Sequence, residues 1–268
     1  LPQIAADLNT DPIHLKLALT SYLLALAVFI PASGWAADRF GVRRVFRLAI
    51  ITFALGSVAC AMAPTLGTLI LARIAQGIGG SMMVPVGRLI VLRAVPKAGL
   101  VNALAWLTVP ALIGPVLGPP LGGFITTYAD WRWIFWINIP IAILGVSLVT
   151  RFIPKLPPVA VPAFDARGFW LIGPGLAMFL SGITIAGLGL APVPLLVALI
   201  GTGAALTLAY VRHARITPAP LVDLRLLRIP TFRVATIGGT LFRVGGGALP
   251  FLLPLMFQIG FGLSAFQS

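Results

Sequence analysis

Long apolar segments alternate with short polar ones along the chain. Eight apolar segments, each of about 18–25 residues as a tilted transmembrane helix requires, lie at roughly 15–36, 46–63, 66–89, 100–124, 133–151, 169–187, 193–211 and 234–258. Glycine and proline residues such as Gly173 and Pro194 interrupt or bound the sixth and seventh segments. The pattern predicts an all-α polytopic membrane protein with about eight transmembrane helices.

The composition supports a membrane protein and argues against other classes. The chain is 59% hydrophobic and only 9% charged, with a mean hydropathy of +1.05, which excludes an ordinary soluble domain. Its net charge of +13 could suggest a nucleic-acid partner, but the basic residues punctuate apolar segments and do not form a recognition patch. We therefore expect the lipid bilayer, and no nucleic acid, as a partner. The single Cys60 and the separated His14 and His213 predict neither a disulfide framework nor a metal site.

The placement of basic residues predicts the topology. If the first segment runs inward, fifteen of the 19 Lys and Arg residues fall on one side of the membrane, and only Lys16 and Arg132 fall on the other. The positive-inside rule makes the basic side cytoplasmic. Tyr128, Trp131, Trp133 and Trp136 gather at the opposite side, where they are expected to form an interfacial aromatic belt. Arg73 and Arg243 remain inside segments.

A charged turn is predicted between the first two segments, at residues 34–44, which read G-W-A-A-D-R-F-G-V-R-R. Gly34 and Gly41 would allow close backbone approach or a positive φ. Asp38 is expected near a helix end, where it can hold neighbouring guanidinium groups by charge-assisted hydrogen bonds. By these residues alone, the stretch could also be an ordinary basic cytoplasmic loop.

The third segment carries an arginine inside the predicted membrane region. Arg73, Gln76 and Gly77 share one helical face. A guanidinium at this depth needs a carboxylate, a substrate anion or water. The alternative is an Arg side chain that extends outward to the interface above a glycine packing face.

The fourth segment contains G-P-V-L-G-P-P-L-G-G. Gly114, Gly118 and Gly122 are four residues apart and line one helix face, so another helix could approach closely, while the prolines bend or loosen the helix. Such a helix could act as a hinge for alternating access. It could equally be a tightly packed, kinked helix without a transport role.

Other candidates for a binding cavity are Tyr22, Met82, Met83, Trp106 and Phe135, although in a membrane helix such side chains more often pack or face lipid. Arg243 could face a pore or form a structural pair. All six acidic residues are Asp, and each lies at a segment end or in a loop. No segment interior offers a carboxylate pair, a metal cluster or a nucleophile with a base, so we expect no catalytic residues, no enzyme activity and no cofactor.

Three of these motifs resemble those of the major facilitator superfamily of secondary transporters. In that family the first motif forms the loop between the second and third helices and gates the cytoplasmic side. Its positions are filled here by Gly34, Asp38, Arg39, Gly41, Arg43 and Arg44. R-x-x-Q-G, which is associated with proton transfer in the fourth helix, matches Arg73, Gln76 and Gly77. The antiporter motif of the fifth helix matches Gly114, Gly118, Pro119, Gly122 and Gly123.

Further resemblances point to a branch of that family. W-R-W-I-F-W-I-N-I-P, and F-D-A-R-G-F followed by two apolar segments, are similar to sequences of the fourteen-helix drug:proton antiporters, in particular the multidrug-resistance protein D-like transporters. The likeness implies a partial major facilitator fold. Its divisions are an N-terminal bundle lacking its first helix at 1–151, a cytoplasmic linker at 152–168, two extra central helices at 169–211, a cytoplasmic loop at 212–233, and the first helix of the C-terminal bundle at 234–268.

The resemblance implies proton-coupled export of drugs or other amphipathic compounds by alternating access, driven by the proton gradient. It implies a multi-pass protein of the bacterial inner membrane, monomeric at full length, whose coupling carboxylate is expected upstream of Leu1. Two alternatives stay open. One is a transporter of the same fold for a specific metabolite, and the other is an inactive, truncated fragment.

Overall fold

A computed structural model describes residues 2–155 and 159–260 of the chain. In these ranges the chain is helical, and no β-strand occurs there. Two short 3-10 helices, Lys97–Gly99 and Leu224–Arg228, accompany the α-helices. The α-helices are α1 (Pro2–Asp7), α2 (Pro12–Phe40), α3 (Val42–Ala61), α4 (Leu66–Ala94), α5 (Leu100–Tyr128), α6 (Trp133–Trp136), α7 (Asn138–Phe152), α8 (Ala166–Leu188), α9 (Val193–Ile216) and α10 (Pro230–Gly260).

Membrane-length helices agree with the apolar segments. Within the described residues, six stretches are long and apolar enough to cross a membrane: Ile13–Phe40, Val42–Ala61, Leu66–Ala94, Trp133–Phe152, Ala166–Leu188 and Val193–Ile216. The other two predicted segments, 100–124 and 234–258, are also helical, as parts of α5 and α10. The fold class predicted from the sequence, an all-α polytopic membrane protein, is therefore confirmed.

Helix α4 lies between α2 and α3, and small residues bring the three backbones together. A Cβ added to Gly77 would lie 2.6 Å from Cβ of Ala25, and one added to Gly79 would lie 2.7 Å from the carbonyl oxygen of Ala49. Close approach of this kind maximises van der Waals contact where lipid gives helices no hydrophobic reason to associate. Further pairings complete the main bundle: α7 packs on α3, α8 packs on α2, and α9 packs on α8.

The turn expected at residues 34–44 is much shorter than predicted. Helix α2 continues through Gly34 to Phe40, and α3 begins at Val42, so only Gly41 breaks the helix. Gly41 has the positive φ, 87°, that glycine adopts without strain. The expectation for Gly34 is wrong: it is helical, and a Cβ added there would meet nothing within 4 Å.

The predicted aromatic belt also needs a correction. Trp131 is buried, with only 4% of its surface exposed, and packs in a cluster with Leu15, Leu69 and Phe135. Tyr128 and Trp133 are exposed, as residues of a belt should be. Trp131 departs from the pattern because its ring packs among apolar residues while its indole N–H reaches a polar partner, Asp7, described below.

The predicted divisions of the chain begin and end near helix ends. This agreement does not test whether they are separate structural units. The segment after α7 has no regular secondary structure where it is described, and it contacts α2: the amide of Val159 donates to the carbonyl oxygen of Asp38 (2.9 Å), and Nε1 of Trp35 donates to that of Pro162 (3.0 Å). Parts of three predicted divisions, at residue 1, residues 156–158 and residues 261–268, lie outside the described residues. The division of the chain stays a prediction.

Candidate functional site

Helix α4 places Arg73 and Gln76 on its inner face. The helix begins with a capping box, in which Thr65 and Thr68 exchange side-chain and backbone hydrogen bonds. Gln76 lies one turn after Arg73 and is buried, with 1% of its surface exposed. It packs against Gly56 of α3 so closely that a Cβ there would lie 2.6 Å from Cα of Gln76.

Hydrogen bonds link α4, α3 and α7 through these side chains. Nη1 of Arg73 donates to Oε1 of Gln76 at 2.7 Å, and Nε2 of Gln76 donates to Oγ of Ser57 at 2.7 Å. Ser57 also accepts from Nδ2 of Asn138 at 3.3 Å and donates to the carbonyl oxygen of Phe53 at 3.0 Å. A buried polar network with its groups satisfied holds its members in one arrangement. The Gln76 carbonyl is thereby directed at Arg73.

The guanidinium of Arg73 is held by aromatic rings and neutral acceptors. Its Cζ lies 4.6 Å from the ring centre of Tyr22 and 5.7 Å from that of Phe135, within the range of cation–π attraction. Nε donates to the carbonyl oxygen of Ala18 at 3.3 Å. In the described part of the chain, the ion pairs join Arg93 to Asp38, Arg132 to Asp7 and Asp130, and His213 to Asp165, so none involves Arg73.

A cavity of about 340 Å³ opens beside Arg73. Its lining is mostly apolar, and Arg73 is the charged residue in it. The cavity brings Arg73 together with Phe135 and with Gly122 and Gly123 of the antiporter motif, which lie far apart in sequence. An apolar cavity with one fixed cation suits an amphipathic molecule whose polar end accepts hydrogen bonds. The remaining lining residues are Ile4, Leu15, Ala18, Leu19, Leu69, Thr126, Trp131 and Ile134.

A small charged cluster is bonded to Trp131, one of the residues that line this cavity. Oδ2 of Asp7 accepts hydrogen bonds from Nε1 of Trp131 at 3.0 Å and from Nη1 of Arg132 at 2.7 Å. The Trp131 hydrogen bond and then the Arg132 guanidinium lower the pKa of Asp7. The hydrogen bond that Arg132 donates to Asp7 raises the pKa of Arg132. The cluster joins α1 to the segment between α5 and α6.

The glycines of the antiporter motif, including the two that line the cavity, make no close contact with another described helix. A Cβ added to Gly114, Gly118, Gly122 or Gly123 would meet nothing within 4 Å, so the described residues place no helix against this face. The side chain of Pro119 lies outside the described residues. The hinge role of this motif stays a prediction.

The loop motif joins helix ends on the basic face of the bundle. Oδ1 of Asp38 accepts from Nη2 of Arg93 at 2.5 Å, which ties α2 to α4. Nη2 of Arg43 donates to the carbonyl oxygen of Thr150 and ties α3 to α7. Arg39 and Arg44 are exposed. The motif thus contributes two inter-helix contacts, and its gating role stays a prediction.

The other cavity candidates are scattered. Met82 packs against the cluster of Ala37 and Val42, and Met83 packs against that of Ile50, so both fill helix interfaces. Trp106 is 73% exposed on α5. Arg243 is exposed on α10. Of the six candidates, the structure brings Tyr22 and Phe135 to Arg73.

Sequence reasoning missed Ser57 and Asn138, which complete the Gln76 network. The available signal was a polar side chain inside a mostly apolar segment, since such residues in a membrane helix can bond to another helix. The Ala18 carbonyl carried no signal, because any backbone carbonyl could have been the acceptor.

Comparisons with known proteins were made for the whole chain. Residues 1–268 match the sequence model of the Major Facilitator Superfamily. The chain is 44% identical over 269 residues to proteins of Salmonella heidelberg and Salmonella typhimurium, and 44% identical over 273 residues to one of Pectobacterium atrosepticum. The names of all three include the words multidrug resistance protein MdtD. Each alignment covers 100% of this chain but 57% of the relative, so the chain spans little more than half their length.

Proposed function

Because the chain belongs to the Major Facilitator Superfamily, we propose that the protein carrying it is a secondary transporter that exports amphipathic organic compounds in exchange for protons. The observation that carries the proposal is Arg73, a cation at an apolar cavity within the helix bundle, held by Gln76 and bonded to no carboxylate of the described residues. Relatives whose names include multidrug resistance support the drug-like substrate class. The protein is an integral membrane protein, and its bacterial relatives support the inner membrane as its location.

Arg73 has a defined role in this proposal. A fixed cation lowers the pKa of a carboxylate that approaches it and stabilises the deprotonated form. A carboxylate that contacts Arg73 in one state of the transporter and leaves it in another would release and take up a proton during the cycle. The six Asp residues of this sequence lie at helix ends or in loops, so we assign that carboxylate to none of them. Gln76 would keep the guanidinium in position through both states.

In this proposal, the loop motif around Asp38 and the glycine motif of α5 would take part in the change between inward-facing and outward-facing states. The contacts of Asp38 with Arg93 and of Arg43 with Thr150 would hold the cytoplasmic helix ends together in one state and separate in the other. The glycine face of α5 would provide a surface for a helix that moves. The proton gradient would supply the energy, without a cofactor, and the full transporter would work as a monomer.

The experiment is transport in proteoliposomes containing the full protein, with a pH-sensitive dye inside and an imposed pH gradient. Addition of an amphipathic drug should dissipate the gradient for the wild-type protein, and Arg73→Gln should abolish the response. Arg88→Gln is the matched control, because it removes the same charge from an exposed position of α4. Drug movement that is equal with and without the gradient would contradict proton coupling and favour facilitated diffusion.

A further inference from the structure

A second cavity lies at the opposite end of the bundle from Asp7, where α2 ends and α3 begins. It has a volume of about 300 Å³ and is formed between the α2–α3 junction and the segment after α7. Its lining residues are Phe40, Gly41, Arg43, Arg44, Arg47 and Lys155. It shares no residue with the Arg73 cavity.

The lining concentrates positive charge without a compensating acid. Four of its six residues are basic and none is acidic. Asp38 is close in sequence, but its carboxylate accepts a 2.5 Å hydrogen bond from Arg93 on α4. Like charges that converge on one cavity repel each other unless an anion or water lies among them.

Two guanidinium donors at this cavity are buried and have no acceptor. Nε of Arg43 and Nε of Arg47 are both inaccessible and make no hydrogen bond with the described residues. A buried donor without a partner is rare in folded proteins, because the lost hydrogen bond to water is not replaced. The two atoms therefore indicate an acceptor that the described residues do not supply.

The start of α3 adds to the attraction for an anion. Its N-cap is Gly41, which has no side chain to accept hydrogen bonds from the first amides, and the first turn of α3 contains no acidic residue. The amides at a helix N-terminus carry partial positive charge and bind oxyanions. Here this end of the helix and the basic side chains belong to one cavity.

We propose that this cavity binds a phosphate-type anion. Its tetrahedral oxygens would accept from the Arg43 and Arg47 guanidinium groups and from Lys155, since arginine binds phosphate with two parallel hydrogen bonds. Phe40, which is half exposed at the rim, provides an apolar contact beside it. The anion can be the headgroup of an acidic lipid or free phosphate, and the site is independent of what the protein transports.

The general excess of basic residues on this side of the membrane does not account for the cavity. The positive-inside rule explains on which side Lys and Arg residues lie. It would be satisfied equally by solvated side chains that point apart. It does not predict four bases around one cavity or two buried donors without acceptors.

The test is a titration of the delipidated, full protein in neutral detergent, with thermal unfolding as the readout. The probes are dioctanoyl phosphatidylglycerol, dioctanoyl phosphatidylcholine and inorganic phosphate. The wild-type protein should be stabilised by the acidic lipid more than by phosphatidylcholine. Arg47→Gln and, separately, the exposed Lys155→Gln should each weaken apparent affinity by about tenfold, the effect of losing one charge-assisted hydrogen bond.

Arg212→Gln is the matched control, because it removes an exposed positive charge from the same end of the bundle but away from the cavity. It should bind as the wild type does. Stabilisation by inorganic phosphate as well as by the lipid identifies free phosphate as a ligand, and stabilisation by the acidic lipid alone identifies a headgroup. The proposal is wrong if neither probe stabilises the wild type, or if Arg212→Gln loses as much affinity as Arg47→Gln and Lys155→Gln.

Discussion

Nη1 of Arg73 donates a 2.7 Å hydrogen bond to Oε1 of Gln76, a side chain with 1% of its surface exposed. The Gln76 amide is in turn fixed by Ser57 of α3. A cation beside an apolar cavity is thus positioned by a neutral, buried partner. Gln76 can orient Arg73 without cancelling its charge, which leaves the guanidinium able to attract an incoming carboxylate or substrate.

Removing this partner should impair both stability and transport. In Gln76→Leu, Nη1 of Arg73 loses its acceptor and Oγ of Ser57 loses one of its two donors. We expect a loss of about 2–3 kcal/mol in the free energy of unfolding, as for hydrogen bonds to charged groups. Thermal unfolding in detergent and drug transport in proteoliposomes are the two measurements. Asn138→Leu is the comparison, since it removes only the 3.3 Å bond at the far end of the network and should cost less. Equal losses of stability and transport in both variants would contradict the prediction that Gln76 is the main residue that positions Arg73.

Gly77 should tolerate no side chain, whereas Gly34 should accept one. In Gly77→Ala, the new Cβ would lie 2.6 Å from Cβ of Ala25 and 2.7 Å from the carbonyl oxygen of Tyr22, so α2 and α4 must separate. We expect a loss of about 1–3 kcal/mol, as for other overpacked sites. Gly34→Ala meets nothing within 4 Å and should gain about 0.5–1 kcal/mol from reduced backbone entropy in the unfolded chain. The measurement is the thermal unfolding midpoint of each variant compared with the wild type. A lower midpoint for Gly34→Ala would contradict the open surroundings of Gly34 in α2.

The Asp38–Arg93 pair should matter more for conformational change than for stability. The two side chains are 31% and 28% exposed, so Asp38→Asn should change the free energy of unfolding by less than about 1 kcal/mol. If the pair holds helix ends together in one state, Asp38→Asn should lower transport, and the exchanged variant Asp38→Arg/Arg93→Asp should recover part of it. If Asp38→Asn transports as fast as the wild type, the Asp38–Arg93 contact has no role in gating.

The 3-10 helix Leu224–Arg228 should be released when Asp165 loses its charge. Oδ1 of Asp165 contacts His213 at 2.8 Å and Oδ2 accepts from the Leu221 amide at 3.2 Å, which joins the start of α8 to α9 and the following loop. In Asp165→Asn, trypsin should cut at Arg225 and Arg228 faster than in the wild-type protein. Unchanged cleavage rates would show that Tyr210, whose hydroxyl also bonds Val222, holds the loop without Asp165.

The contacts of Asp165 also predict that protection of this loop from proteolysis depends on pH. Burial would raise the pKa of Asp165, but hydrogen bonds from the Gly168 amide, His213 and the Leu221 amide outweigh it and lower the pKa below the usual 3.8. A lowered pKa in the folded protein means that the carboxylate stabilises the fold above pH 3.8 and that this contribution is lost as the pH falls through the lowered pKa. Cleavage by pepsin in the loop should therefore rise at low pH in the wild type. Asp165→Asn should show fast cleavage without that dependence.

The apolar segments determined the fold class and the approximate helix limits, because a chain in lipid must satisfy its backbone polar groups within each helix. The motifs around Asp38, Arg73 and Gly114 predicted the family that the comparison with known proteins confirmed. Local sequence was enough for these conclusions because hydrophobic length and glycine placement act within single helices. It did not predict that α2 continues past residue 36 to Phe40, since the charged residues there are typical of a turn as well as of a helix end.

Only the tertiary structure decided which side chains meet. Ser57, Gln76 and Asn138 are separated by long stretches of sequence, and their bonds depend on the close approach of α3, α4 and α7. Trp131 is buried against Leu15, Leu69 and Phe135, and Asp7, distant in sequence, accepts its indole hydrogen. The convergence of Arg43, Arg47 and Lys155 on one cavity likewise arises from the position of the segment after α7. Contacts between helices depend on packing geometry, which a one-dimensional pattern of polar and apolar residues does not contain.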